Sequence, residues 1–451
     1  MTDSTEPGPA EVEPSSAEVE QEKIARGVAR ELFKQPRYAK RPGFRRIFRL
    51  LDGWIDEYPP SIHVVGSNGK GSVATMTAAI LQSWGLRVGL FTSPHLRSFS
   101  ERIRIDGEPA SASELQEAMD HLRPRLSGLA WGDDPALAFE AVTALAAWIF
   151  VQRRVDVVVW EAGIGGRYDA TRIFGGSVGV LVSVDLEHTA ILGKTLKEIA
   201  LDKADIVEEG ASLVLGNLPP TVKTAVTEHC ERRGVAVCPA SLEETWQEKG
   251  LADLSLQGGV FWGLYHRHNA VLAWITARRW LGQQPDNPTS ADVLETHETE
   301  ALSDLKLPGR MERVSAQPEI WVDVAHSPGA LLQTAAAARE VAPNEEWVVI
   351  FGVSEDKKQR VNEMIEPLKG LSCHFVCACS HHRGLDAERV KRAVEGMETG
   401  ASVSLMPDPE SALDYARRLK RRILVTGSLF LAVEISEIVA GRDPKALLFY
   451  G

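Results

Sequence analysis

Residues 62–72 read IHVVGSNGKGS and pass through Val73 into ATMTAAILQSWG. An apolar run, a glycine-rich turn and a helical stretch follow one another, and that order gathers backbone N–H groups and a helix N-terminus around a polyphosphate. Gly66, Gly69 and Gly71 let the backbone approach an anion closely. Ser67 and Asn68 complete the turn, Lys70 can reach terminal phosphates, and the Ser72 hydroxyl can meet Mg²⁺ or a phosphate oxygen. The loop reads as a nucleotide site, for ATP. It departs from the general G-x-x-x-x-G-K-[ST] spacing: Val64 stands at the first glycine position, and Gly71 separates the lysine from the serine.

Outward from this loop, apolar runs alternate with helical spans. IHVVG is followed by a helix to Trp84, RVGLFTS, helices from Ser113 to about Leu126 and from Phe139 to about Arg153, then VDVVVWEAG and VGVLVSV. Strands this apolar, separated by helices, predict a parallel sheet covered on both faces, with ligands at the carboxyl ends of its strands. The loop at 66–72, TSPH at 92–95, EAGIGGRYDAT at 161–171 and DLEH at 185–188 all follow strands and can converge on one crevice. The polar stretch 282–301, with two prolines, reads as a linker. Beyond it EIWVDVAHS, EWVVIFGVSEDKK, SCHFVCACS and RRILVTGSLF form a second alternation. The expected architecture is α/β: a phosphate-loop domain with a parallel sheet covered by helices over 23–290, and a smaller Rossmann-like α/β domain over 291–451. Residues 1–22 are rich in Pro, Ser and Glu and predict a disordered acidic tail.

A chain of 451 residues exceeds what one hydrophobic core usually serves, which agrees with two domains. The net charge of −12 argues against a nucleic-acid partner. The most basic stretch, KRPGFRRIFR at 40–49, is expected to be the solvated face of a helix. No run of 18 apolar residues and no basic-then-apolar leader occurs, so a cytoplasmic enzyme without a membrane partner is expected. Of five cysteines, Cys373, Cys377 and Cys379 alternate with Phe375 along an apolar run, as buried strand positions would. A zinc site would need a second ligand pair, and none is evident.

Glu161 closes a buried strand beside GIGG, where a carboxylate is costly unless paired. Near a triphosphate its partner would be Mg²⁺, and otherwise N–H groups of the glycine turn. Taken alone, His188 at a strand end reads as a hydrogen-bonded histidine, and Lys203 as a surface helix lysine.

Eight segments change that reading: IHVVGSNGKGS, GLFTSPHLRSFSERIRIDGEP, VVWEAGIGGRYDAT, HTAILGKTLKEIALDKADIV, LPGRMERV, VDVAHSP, FGVSEDK and VTGSLFL. In their order and spacing, from about residue 30 to the end, the chain resembles the folylpolyglutamate synthase and dihydrofolate synthase family of the Mur ligase superfamily. The resemblance implies ATP-dependent ligation. A substrate carboxylate takes the γ-phosphoryl group as an acyl phosphate, and the amine of glutamate displaces phosphate to give an amide. It implies two Mg²⁺ sites, with Ser93 and Glu161 at the first and His188 joining Glu161 at the second, and a carbamylated Lys203. It places Arg310 on phosphate, Asp323 and His326 at the nucleotide and acyl phosphate, and Asn269 on the nucleotide. Phe139 and Asp169 are implied to receive a pterin, and Ser327 lies in the acceptor region. The implied protein is a monomer working on small molecules.

Departures from the family pattern are Ser67 for threonine, Ser100 and Arg172 for asparagine, Glu187 for aspartate, and Ser327 and Gly329 where asparagine and a second histidine are usual. They leave the metal and phosphate set intact and bear on the acyl and amine substrates, with a wider pocket expected beside His326. Another carboxylate as substrate, or a nucleotide-binding homologue without catalysis, are the competing readings.

Overall fold

The computed structural model describes residues 16–38, 43–53, 58–127, 136–240, 263–284, 291–447 and 449. The first sheet has eight strands: β1 (Ser61–Val65), β2 (Val88–Phe91), β3 (Ile103–Ile105), β4 (Glu108–Pro109), β5 (Val157–Glu161), β6 (Val178–Leu181), β7 (Ser212–Leu215) and β8 (Ala236–Pro239). Their order is β4-β3-β2-β5-β1-β6-β7-β8, parallel except for the β2–β3–β4 meander. β1 therefore lies between β5 and β6, and the chain after β1 and after β5 moves to opposite sides of it. That is the switch point of a doubly wound sheet, where a crevice opens at the carboxyl ends.

Both faces are dry, as the unbroken apolar runs require. On β5 the two-residue period sends Val158 and Trp160 into one core with the Ala112–Ser127 and Ala138–Gln152 helices. Val157 and Val159 join the Lys70–Ser83 and Leu264–Leu281 helices on the other face. Gly89 and Gly179 leave room for Phe150 and Val207 to press onto the sheet.

The second sheet runs β13-β12-β11-β14-β10-β9, with β9 (Glu312–Ala316), β10 (Glu319–Val322), β11 (Trp347–Phe351), β12 (Ser372–Ala378), β13 (Ser402–Met406) and β14 (Ile423–Thr426). Only β9 is antiparallel, at an edge. Phe375 and Cys377 are buried on one face of β12, whereas Cys373 is half-buried against the opposite core and Cys379 lies beyond the strand, so the expected alternation holds only for the middle pair. Burial pushes the Cys377 thiol up to about 12.

Two boundaries and the setting of one arginine differ from expectation. A helix starts at Ser16, inside the stretch expected to be disordered, because Ala25, Val28, Ala29 and Leu32 pack into the first core and draw the helix back through its polar first turns; residues 1–15 lie outside the described residues. The expected linker contains a helix, Ala291–Ser303, packed on the Lys70–Ser83 helix. Its Glu298, 1% exposed, accepts hydrogen bonds from Trp84 Nε1 (2.9 Å) and Trp274 Nε1 (2.5 Å) and pairs with Arg278 (2.9 Å). With Leu302 and Leu307 it belongs to the first domain, so the crossing falls near 308–311 rather than 290. Finally, Arg46 of the basic stretch is buried, not solvated. Its guanidinium meets Glu140 at 2.9 Å, and Glu140 also accepts the Leu137 N–H.

Candidate active site

At the end of β1 the loop turns back under its own lysine. Lys70 Nζ donates to Gly66 O at 3.0 Å and Ser67 O at 3.5 Å. The loop is pinned to the segment after β6. Ser67 N–H donates to Ser183 O (2.9 Å), Asn68 N–H to Ser183 Oγ (2.9 Å), and Asp185 N–H to Ser67 Oγ (2.9 Å). Gly69, with φ of 85°, caps the Lys70–Ser83 helix, and a Cβ there would lie 2.9 Å from Asn269 Oδ1. Asn269 thus touches the loop from a helix two hundred residues further along the chain. Ser72 is buried in the helix's first turn.

Glu161, at the end of β5, is 4% exposed, and its Oε2 accepts the Ser93 N–H at 2.8 Å. Gly71 lies over it, with a Cβ position 3.4 Å from Oε2. Burial raises the carboxyl's pKa, and Lys70, the Ser93 N–H, Arg310 and Arg102 only partly oppose this. Among the described residues Oε1 takes no hydrogen bond, which leaves an oxygen for a cation. Glu161 and Ser93 are oxygen donors of the kind Mg²⁺ accepts, and few protein ligands are expected for an ion that keeps waters and phosphates. Among the described residues no three His, Cys, Asp or Glu side chains form a protein-only metal cage. His188 is exposed, at φ 45°, as the N-terminal flank of a short turn of helix. Although the residue is exposed overall, partial desolvation of its ring against the crevice, with Lys357, Lys203 and Lys70 nearby, lowers its pKa against the pull of Glu187 and favours the neutral, ligating ring.

Lys203 is not a surface lysine. It is 2% exposed, and Nζ donates to Gly66 O (3.0 Å) and Glu187 Oε1 (2.9 Å). The two partners shift in ways that do not mirror each other. Burial lowers the Lys203 amine more than Glu187 restores it. Burial also pushes Glu187 up, but Lys203 and Lys70 with their hydrogen bonds outweigh it and hold the carboxyl at about 2. We read the pair as ionised, because Nζ has two oxygens at hydrogen-bond distance.

From the second domain, Arg310 projects into the same cleft. Its charge bears on Glu161, Tyr265 and His326, and its guanidinium makes no hydrogen bond or ion pair among the described residues. The His326 ring is solvent-exposed, and Nδ1 lies 3.0 Å from Val324 O. Ser327 flanks the Pro328–Val341 helix, accepting the Ala330 N–H (3.3 Å) and donating to Asn68 Oδ1 (3.4 Å). Arg97 to Glu437 (2.6 Å) and Arg360 to Leu186 O (3.0 Å) also span the domains.

Two carboxylates differ from their expected ligand-facing roles. Asp323 Oδ1 accepts from Ala325 N–H and Thr334 Oγ1, and Oδ2 from Met311 N–H and Tyr265 O–H. Asp169 Oδ1 accepts from Thr171 N–H and Oγ1, and Oδ2 from Gly163 and Ile164 N–H. Each is buried with its acceptor positions filled, so each holds a loop and meets no ligand directly in this arrangement. Phe139 packs against Gly163, where a Cβ would lie 2.7 Å from Cζ, and meets Phe91 edge-on at 5.8 Å. The space expected beside His326 is bordered by Asp185, since a Cβ on Gly329 would sit 2.9 Å from its Oδ2. Sequence reasoning missed Ser183, Asp185, Tyr265 and Lys357. Three of these lay within quoted segments, VGVLVSV, DLEH and FGVSEDK, but carried no motif of their own. A surface cavity of about 930 Å³ between Glu319, Asn344 and Arg422 lies elsewhere, at the amino ends of β10 and β14, and gathers none of these groups.

A nucleotide loop at a sheet's switch point, faced by a free arginine from a second α/β domain, defines a two-domain nucleotide-dependent enzyme class. A family profile described as Mur ligase, glutamate ligase domain matches residues 309–429. The folylpolyglutamate synthase of Lacticaseibacillus casei is 30% identical over 90% of this chain and 96% of that protein. A probable bifunctional folylpolyglutamate synthase/dihydropteroate synthase of Haloferax volcanii is 32% identical over 89% of this chain, which spans about half, 49%, of that longer relative. The structure of Mycobacterium tuberculosis folylpolyglutamate synthase complexed with ADP matches with a TM-score of 0.79 at 26% identity, covering 94% of this chain and 99% of that one. The chain belongs to the folylpolyglutamate synthase family.

Proposed function

We propose that this protein is an ATP-dependent ligase that joins glutamate to a pterin- or folate-type carboxylate through an acyl phosphate. The observation that carries the reading is the convergence of Lys70, Glu161 and Arg310 on one cleft, in a chain whose M. tuberculosis neighbour binds ADP. Phosphoryl transfer between anions needs positioning and charge neutralisation more than covalent help. Loop N–H groups and Lys70 bind the phosphates, and Arg310 approaches from the opposite wall. Glu161 and Ser93 would hold Mg²⁺, with His188 beside a second ion; the metal would offset phosphate charge. Asp323 and Asp169 act as positioning residues, one fixing the turn that carries Arg310, the other fixing GIGG under Phe139. With both halves of the site drawn from one chain, the proposal includes a monomer.

The proposal extends to carbamylation of Lys203. Burial lowers the cost of removing the ammonium proton, which brings within reach the neutral amine whose lone pair bonds CO₂ with loss of one proton. A carbamate there would displace Glu187 from Nζ and leave two anions beside the phosphate loop, a natural place for a divalent cation. A high-resolution map grown with bicarbonate, showing a bare amine in an active enzyme, overturns this part.

The test of function is phosphate release with ATP, glutamate and either dihydropteroate or tetrahydrofolate, with products identified by mass. Release that needs the amine but accepts neither pterin moves the acyl substrate to another carboxylate, a result that Ser327 and Gly329 would then explain.

A further inference from the structure

Asp185 carries a charge whose hydrogen bonding is left incomplete. Its Oδ1 accepts the Leu186 N–H at 2.7 Å, whereas Oδ2 is sealed from solvent and receives no hydrogen bond. A buried anionic oxygen without a donor is costly, so such a group is kept where something supplies the donor. The main chain here is fixed, because the Asp185 N–H is held by Ser67 Oγ at 2.9 Å. Oδ2 lies at the seam of the two domains: a Cβ on Gly329 would fall 2.9 Å from it and 3.8 Å from Asn68 Nδ2. Asn68 Oδ1 is met only by the long 3.4 Å contact from Ser327 Oγ. An anionic oxygen without a donor thus lies beside Gly329, with the Asn68 amide and its Ser327 contact next to it, and a protonated amine, which brings N–H donors, matches what that oxygen lacks.

Resting on the ligase reading above, we propose that Asp185 is the positioning residue for the ammonium group of the amino-acid acceptor, with Asn68 Oδ1 and Ser327 Oγ as its neutral partners. Gly329 is then part of the design, since any side chain at that position displaces the carboxylate.

The experiment compares wild type, Asp185→Asn and Gly329→Ala in the full chain. The first removes the charge and keeps the shape; the second keeps the charge and crowds Oδ2. Both should raise KM for glutamate roughly ten-fold or more, as expected for losing a charge-assisted hydrogen bond. KM for ATP and the half-saturating Mg²⁺ concentration should stay within about two-fold. Glutarate, which lacks the amine, should inhibit wild type and Asp185→Asn equally. A shift in Mg²⁺ dependence instead would make the missing cation a metal. A fall in thermal stability with parallel rises in every KM, or equal loss of glutarate binding, would make Asp185 only a latch between domains. Unchanged constants throughout would also overturn the proposal. If wild type itself shows no glutamate-dependent phosphate release, the ligase reading fails first.

Discussion

His63 makes the first domain acid-sensitive in a way that one substitution should remove. It lies on β1, fully buried, with Nε2 donating to Thr171 O at 2.9 Å while Nδ1 faces Gly176 without a partner. Burial lowers its pKa from 6.5 to about 4, the Thr171 carbonyl opposing and Arg172 adding to the effect. Between those values the unfolded chain binds a proton at this site and the folded chain does not. Stability is therefore fully present above pH 6.5 and is withdrawn as pH falls toward 4. At about 1.4 kcal/mol per pH unit the loss is about 3 kcal/mol. Urea unfolding measured from pH 7 to 4 in wild type and His63→Gln isolates the term, because carboxylates titrating elsewhere act alike in both. The wild-type curve should fall below the variant's by about 3 kcal/mol at pH 4 relative to pH 7. Parallel curves would refute the reasoning and mean that the ring charges without cost.

Lys70→Ala should abolish ATP-dependent turnover with an unchanged circular dichroism spectrum, since Nζ touches only loop carbonyls; retained turnover would remove it from phosphate binding. Glu161→Gln should leave nucleotide binding measurable by titration calorimetry but slow turnover by the order of 10²-fold or more, about 3 kcal/mol. Gly69→Ala should prevent nucleotide binding, because φ 85° and Asn269 Oδ1 at 2.9 Å both oppose a side chain. Arg46→Met removes the cation that faces the buried Glu140 carboxylate and should lower unfolding stability by about 3–5 kcal/mol at neutral pH; a change under 1 kcal/mol would show the pair to be solvated.

Much of this arrangement was legible in the chain because runs such as VDVVVWE and EWVVIF are apolar on consecutive positions, which only a doubly covered parallel strand tolerates. The short pieces were not: β3 and β4 are three and two residues long and close one end of the sheet, β4 as its edge strand, with too little pattern to read. The Ala291–Ser303 helix hid because its buried anchor is a glutamate, Glu298, whose partners Trp84, Trp274 and Arg278 are supplied from elsewhere in the chain. Taken alone, Lys203 reads as a surface lysine for a similar reason, and the family resemblance is what draws it to the site. Nothing local says that a lysine in LKEIALDKA meets Gly66 and Glu187, since that contact depends on a helix folding back across the crevice. Asp169 and Asp323 were visible as acidic residues beside glycine or histidine turns, but whether such a carboxylate faces a ligand or its own backbone is decided by φ and ψ, not by composition.

The chain crosses from the first domain to the second near 308–311, and within the next two dozen residues it delivers Arg310, Asp323, His326, Ser327 and Gly329 to the cleft. The β9–β10 hairpin forms the edge of its sheet, and the helix that follows begins at Pro328. A contribution so contiguous behaves as an exchangeable cartridge. Grafting the equivalent segment from a relative, together with its counterpart of Asp185, would transplant acceptor preference in one short cassette while the nucleotide machinery of the first sheet stays as it is.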